Sequence, residues 1–367
     1  MRVLYVLRYY PTLTETFVYR EIRELMRRGV EVHAVAIGRR GDGVLQDELP
    51  DIEVQRPPRG VAGATLLGQL GRAVGDERCR SAWRWLRQHA RAKDAARALW
   101  VGGLARRLGV HRIHAHFAGE AGEWARVAAQ VADIPYSLTV HAVDLFKPRP
   151  SFGELVRDAA PVVTVSEANI GELGAHGAQA KLVRCGVDPA RYPAARPDAE
   201  GPLRVIAVGR YVPKKGLDLL TEAVIRAPFE VELRLVSDAQ VDHPRVVCGL
   251  VPPSEIPGLL SSAHLFALPC RVAPDGDRDG IPVALMEAMA AGLPVLTTPV
   301  SGIPELVDDE VGWLIASDDG AAVAEALASI AGAPEERRRR GAAGPGRLRD
   351  RGFTVERQVD ALMAAWA

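Results

Sequence analysis

The sequence predicts an α/β chain of two doubly wound domains, each a parallel sheet with helices on both faces. Its 367 residues exceed what one hydrophobic core usually organises, so two domains of ordinary size are the natural division. Short Val/Ile/Leu runs alternate with amphipathic stretches, the pattern of strands buried on both faces and joined by helical crossovers. That alternation stops at 188–197, a segment interrupted by Pro189, Pro193 and Pro197, and then begins again.

The first half opens with a strand at 3–7, a helix at 15–28 and a second strand at 30–37. The helix turns Phe17, Ile22, Leu25 and Met26 inward, and Gly29 stops it by supplying the left-handed residue that ends many helices. Further strands fit 112–117, 136–140 and 162–165. Past the break, a strand at 203–208 leads through a loop at 209–216 into a helix at 217–226, and strands follow at 230–236, 265–268 and 294–298. A last helix, 355–366, is placed to cross back onto the first domain.

Lys plus Arg equals Asp plus Glu at 46 each, so no net field draws the chain to nucleic acid. The balance is uneven along the chain, with a basic stretch between Arg56 and Arg112 and an acidic surplus in the second half. Cys79, Cys185, Cys248 and Cys270 form no CxxC pair, which predicts reduced thiols. The apolar opening is too short for a signal sequence and no run approaches the ~18 residues of a membrane span, so the expectation is a soluble, cytoplasmic monomer or dimer.

The stretch 279–292 carries the most chemistry. Pro282 suits the first turn of a short helix at 283–291 and Gly292 its stop. The N-terminus of such a helix offers unpaired N–H groups and the positive end of a dipole, a phosphate site. Glu287 then lies ~7.5 Å along the axis, about the step from a diphosphate to its ribose. Asp279, on the loop before the helix, is placed to accept hydrogen bonds from sugar hydroxyls. Arg210 and Lys215 follow the strand 203–208 at its carboxyl end, the edge where open α/β sheets bind ligands, and there they would neutralise a diphosphate. His141 stands at the same end of the strand 136–140, with Asp144 available to orient it or to cap the next segment.

These segments, with Pro11–Phe17 and Gly186-Val187-Asp188 and with His114 and His116 ahead of Phe117, resemble retaining glycosyltransferases of family 4, and in particular the colanic-acid-type exopolysaccharide branch. The resemblance spans about residues 3–315. It implies the GT-B fold, two Rossmann-like domains facing a cleft, with 1–190 binding the acceptor, 191–351 the donor, and 352–367 returning to the first domain. It implies a nucleotide-diphosphate sugar donor, UDP ahead of GDP, and a saccharide, lipid-linked or small-molecule acceptor hydroxyl. No metal or other cofactor is implied. Asp279 and Glu287 occupy the positions of the family's paired acids, Arg210 and Lys215 its diphosphate clamp, and His141 its histidine near the transferred sugar. Gly280, Ile281, Val283, Leu250 and Val251 complete the expected donor site; Thr14, Glu15, His116 and Asp144 are expected on the acceptor side. The chain departs from the family where Asp279 replaces the usual Glu, where 8–17 lacks paired glycines, and where Ser301 stands at a common Gly. Retention implies attack from the face of the leaving group, without a covalent intermediate. An epimerase or hydrolase of the same fold, or a catalytically silent sugar-nucleotide-binding protein, are the rival readings.

Other signals are weaker. His114 and His116 alternate on one strand with His111 nearby, but no further ligand at convincing spacing makes a metal site. Trp83, Trp85 and Trp100 among Arg80, Arg84, Arg87, Arg91, Lys93, Arg97, Arg106 and Arg107 suit either a peripheral membrane contact through 80–107 or helices packed on the sheet with arginines in water. The run 337–340 reads as a solvated helix end. No GxGxxG, GxxxxGK[ST] or Ser/His/Asp elbow occurs, which argues against the common dinucleotide, P-loop and hydrolase designs.

Overall fold

The computed structural model describes residues 1–39, 41, 45–58, 77–89 and 92–367. The chain forms two compact units, the first of 1–165, 170–183 and 359–367, the second of 166–169 and 184–358. After the brief excursion at 166–169 the chain passes into the second unit at Arg184, ahead of the residue-190 boundary expected from the proline-rich break, and re-enters the first at Val359.

In the first unit, strands β1 (Arg2–Tyr9), β2 (Glu31–Gly38), β3 (Val54–Gln55), β4 (Arg112–His116), β5 (Tyr136–Val140), β6 (Val162–Thr164) and β7 (Ala180–Leu182) form a parallel sheet in the order β3-β2-β1-β4-β5-β6-β7. Residues 3–6 of β1 are fully buried, as a central parallel strand covered on both faces requires. The helix Thr16–Arg27 buries Phe17, Ile22 and Leu25, whereas Met26 is only half-buried. Gly29, at φ +81°, closes it: Gly29 N–H bonds to Met26 O and Val30 N–H to Leu25 O, the paired bonds of a Schellman stop. Trp85, Trp83 and Trp100 pack against the core on the helices Glu77–His89 and Ala92–Leu108. The tryptophans therefore serve the interior, and exposed Arg80, Arg84, Arg106 and Arg107 remain on the surface. Arg91 and the side chains of Arg87 and Lys93 lie outside the described residues. At the chain end, Trp366 is buried, donates from its indole to Ser137 Oγ at 2.9 Å and accepts from Arg112 through its carbonyl at 3.1 Å.

The second unit is a parallel sheet of β8 (Leu203–Val208), β9 (Val231–Val236), β10 (Val246–Gly249), β11 (Leu265–Ala267), β12 (Val295–Thr297) and β13 (Gly312–Leu314) in the order β10-β9-β8-β11-β12-β13. Arg337 corrects the expectation of a solvated run at 337–340. It is buried in the helix Pro334–Asp350 and donates to the carbonyls of Pro197, Ile330 and Ala331. Two of those carbonyls end the helix Gly320–Ala331, whose last turn lacks intrahelical donors, so the guanidinium satisfies what the helix cannot. Among the described residues, no helix is long and apolar enough to cross a membrane.

In both sheets the strand order reverses beside the first strand: β1 lies between β2 and β4, and β8 between β9 and β11. Neighbouring crossovers leave in opposite directions there and open a crevice at the carboxyl ends of the strands. The candidate residues collect at those two places.

Candidate functional site

In the second unit the cluster begins with a tight turn after β8. Gly216 takes φ +63°, and a Cβ on it would lie 2.0 Å from the Pro269 carbonyl oxygen, so only glycine lets this loop meet the end of β11. Pro213–Lys215 forms a single 3-10 turn. Arg271 pins it, donating its main-chain N–H to Lys214 O at 3.0 Å and its Nε to Pro213 O at 2.8 Å. Asp218 and Asp318 hold that guanidinium in turn.

The turn delivers two cations to one carboxylate. Lys215 Nζ lies 2.7 Å from Asp279 Oδ2, and Lys214 Nζ lies 3.4 Å from Asp279 Oδ1 and 3.1 Å from Asp277 Oδ1. Burial pushes the Asp279 carboxyl up, but the charges of Lys215 and Lys214 outweigh it and hold the group below its ordinary value. The converse holds for Lys215, where burial pulls the ammonium down and Asp279 raises it above the usual lysine. The Cys270 thiol, 3.8 Å from Asp279, is pushed up by burial and by that same carboxylate, and so stays a protonated, unreactive thiol.

Four residues past Asp279 the helix Val283–Ala290 begins, with Pro282 as its N-cap and no side chain capping it. Its first N–H groups lie at the positive dipole end, that of Leu285 turning back to Pro282 O at 3.0 Å. The helix is buried along Leu285–Ala290, and Gly344 of the helix Pro334–Asp350 packs on it so closely that a Cβ would lie 2.7 Å from Met289 O. Gly292, at φ +74°, ends it through Gly292 N–H to Met289 O and Leu293 N–H to Ala288 O. Gly302 closes against the loop that leads into the helix, its missing Cβ 3.0 Å from Ile281 Cγ1. Ser301 holds φ +52° where glycine would be unstrained, and its buried Oγ has no hydrogen-bond partner among the described residues.

In the first unit, a buried polar network lies at the ends of β1, β4 and β5. Glu21 accepts from Tyr5 OH at 2.6 Å and faces His116 Nε2 at 2.9 Å; His116 Nδ1 meets His141 Nε2 at 3.2 Å. Burial opposes ionisation of Glu21, yet His116 outweighs it and takes the carboxyl down to about 2. His114 is pulled to about 3 by burial and then by His116, and its ring bonds Ser137 at 2.8 Å and Thr139 at 3.2 Å. His141 falls well below the ordinary histidine value, by burial first and His116 second, so it is neutral at physiological pH. The Phe117 ring stacks on it at 4.4 Å. Asp144, pushed up to about 7 by burial, accepts from His141 N–H at 2.9 Å and caps the helix Ala142–Phe146. Glu21, His114 and His116 each bring one potential ligand atom within 4.8 Å of the others, and every one of those atoms has a hydrogen-bonding neighbour.

A model of glycosyltransferase family 4 matches residues 14–191, and one of glycosyl transferases group 1 matches 202–332. A glycosyltransferase assigned to colanic acid biosynthesis in Salmonella typhimurium is 30% identical over 379 residues, covering 90% of each chain. The chain belongs to glycosyltransferase family 4. An amylovoran biosynthesis glycosyltransferase of Erwinia amylovora is 35% identical over 46% of this chain and 45% of its own. The structure of Anabaena HepE in complex with UDP and glucose superimposes with a TM-score of 0.76 over 100% of this chain and 99% of that one, at 18% identity, which shows the GT-B fold.

In this family 4 chain, the fold gathers some expected residues and separates others. Lys215, Asp279, Gly280, Ile281 and Val283 share one sheet edge with the start of the Val283–Ala290 helix, and Glu287 is buried one turn farther along it. Arg210 stands exposed, and the second cation on Asp279 is Lys214, which the sequence reading passed over. Leu250 is exposed and Val251 buried just beyond β10. On the first unit, Thr14 is exposed, Glu15 is the N-cap residue of Thr16–Arg27, and His116 is buried. Glu21 was missed there. Its signal was present: it lies on the inward stripe between Phe17 and Leu25, four residues from each, where a carboxylate needs a partner.

Proposed function

We propose that the chain is a retaining, metal-independent glycosyltransferase that moves a hexose-type sugar from UDP to a saccharide hydroxyl in exopolysaccharide assembly. The observation that carries the donor assignment is the convergence of Lys214, Lys215 and Asp279 on the edge of β8 and β11 beside the uncapped start of Val283–Ala290. A diphosphate on those N–H groups is neutralised by Lys215 and exposed Arg210, Lys acting as a point charge and Arg as a fork. Glu287 takes the ribose hydroxyls, and Asp279, released from Lys215 as the anion arrives, takes sugar hydroxyls. UDP is supported by the HepE complex, and a saccharide acceptor by the colanic acid and amylovoran relatives.

In the transfer step the sugar–phosphate C–O bond breaks and the acceptor C–O bond forms on the same face. The acceptor proton passes to the departing diphosphate oxygen. Lys215, Arg210 and the helix dipole stabilise charge that develops only as the bond breaks, which lowers the barrier rather than merely tightening binding. The test is a screen of nucleotide sugars for slow hydrolysis, read by nucleotide release, followed by addition of saccharide acceptors. Acceptor-dependent product with retained anomeric configuration is expected; release of no nucleotide from any UDP- or GDP-sugar would sink the reading.

A further inference from the structure

We infer that Lys214 is a positioning residue for the donor: it keeps Asp279 Oδ1 in place when Lys215 turns to the incoming diphosphate, so that Oδ2 is left free for a hydroxyl of the donor sugar. The inference rests on the donor assignment above. The two oxygens of Asp279 are held separately, Oδ2 by Lys215 Nζ at 2.7 Å and Oδ1 by Lys214 Nζ at 3.4 Å. A diphosphate carries more charge than one carboxylate and draws a flexible ammonium more strongly. Arg210 acts on Lys215 as a like charge, which favours the move to an anion that both can share. Asp279 then faces a group of its own sign, which alone would drive the carboxyl toward its neutral form or out of the site. A cation that stays behind keeps it ionised and in place.

Lys214 differs from Lys215 in being held at both ends. Its main-chain carbonyl accepts from Arg271 N–H at 3.0 Å within the Pro213–Lys215 turn, and its ammonium lies between two carboxylates, Asp279 Oδ1 and, at 3.1 Å, Asp277 Oδ1. Asp277 is itself fixed: its carbonyl accepts from Ala273 N–H at 2.8 Å, and its N–H donates to Asp275 Oδ1 at 3.1 Å. Departure of Lys214 would strip a cation from two acids at once, whereas Lys215 gives up one. The Lys214 side chain is only 9% exposed, so water offers its ammonium little in exchange. The Cys270 thiol, 3.8 Å from Asp279 Oδ2, is uncharged and a weak donor, and it offers no substitute.

Carboxyl-carbon spectra of the full chain labelled with ¹³C-aspartate, with and without saturating UDP, test this in the wild type, Asp279→Asn identifying the signal. Asp279 is expected to titrate below the ordinary aspartate value in both states; a carboxyl that rises to that value or above it when UDP binds overturns the inference. Lys214→Met keeps the buried stem and removes the charge. It is expected to bind UDP within about threefold of wild type in calorimetry. Nucleotide release from the UDP-sugar that the wild type hydrolyses is expected to slow about tenfold, the worth of one hydrogen bond to a charged group. The acid limb of that rate should move up by about one pH unit or more, since loss of a neighbouring cation raises a carboxyl that works only when ionised. Unchanged rate and acid limb in Lys214→Met would make the lysine structural only, and a UDP affinity weakened beyond threefold would make it a phosphate ligand; either defeats the positioning role alone. A wild type that binds no UDP would instead defeat the donor assignment, and the inference with it.

Discussion

Replacing Lys215 by Ala separates structural from catalytic work in the donor cluster. At 2.7 Å, and with an effective dielectric of about 20, the Lys215–Asp279 attraction is ~6 kcal/mol before desolvation is counted. Both side chains are only 14% exposed, and truncating one partner of a pair so buried typically costs about 3–5 kcal/mol. Lys214, still 3.4 Å from Asp279, places the expected loss at the lower end, about 3 kcal/mol. Chemical denaturation with intrinsic fluorescence measures it. Transfer should suffer separately: removing one donor to transition-state charge costs about 10²–10³ in kcat. The double variant Lys215→Ala/Asp279→Asn distinguishes the two losses, because a neutral Asn no longer needs a cation. It should regain much of the stability and none of the kcat. If Lys215→Ala loses stability but keeps kcat within about threefold of wild type, the lysine only neutralises Asp279, and the leaving-group argument is wrong.

Glu287→Ala should weaken UDP binding by about tenfold in calorimetry, the loss of hydrogen bonds to a charged acceptor, with a smaller change in kcat at saturating donor. Gly216→Ala should lower the melting temperature and abolish detectable UDP binding, since it forces a side chain into φ +63° against the Pro269 carbonyl and shifts both lysines. The pH dependence of stability has a worked sign. Glu21, taken from 4.5 to about 2, and His114, taken from 6.5 to about 3, have depressed folded values, so their contributions are complete above 4.5 and 6.5 respectively and are lost as acid carries the pH toward 2 and 3. Asp144, raised from 3.8 to about 7, acts in reverse, its contribution complete below 3.8 and lost as pH rises through 7. Asp144→Asn removes that opposing contribution while keeping an acceptor. Its melting temperature should therefore fall more steeply than that of wild type between about pH 7 and 4, and parallel curves would contradict the burial-driven shift.

Strand and helix placement was legible wherever a local rule decided it. The long apolar runs of β1 and β8 and the stops at Gly29 and Gly292 follow from side-chain size and from the backbone freedom of glycine, both properties of the residue itself. Short strands such as β3, β7 and β13 passed unseen, because two or three residues carry no periodicity and pair only when a neighbouring strand is already in place. The basic run at 337–340 misled for a related reason, since Arg337 is drawn inward by the Pro197 carbonyl, 140 residues away, together with the end of the preceding helix that packs beside it.

The chemistry divides along the same line. Residue types and spacing were enough to mark a helix start flanked by acids and a basic loop after a strand, since anion binding at a helix terminus depends on a few consecutive residues. Which lysine meets Asp279, and that Glu21, His116 and His141 form one chain of hydrogen bonds, was decided only when strands β1, β4, β5, β8 and β11 took their places in the two sheets. Hydrogen bonds and ion pairs act over about 3 Å, and sequence separation carries no information at that range.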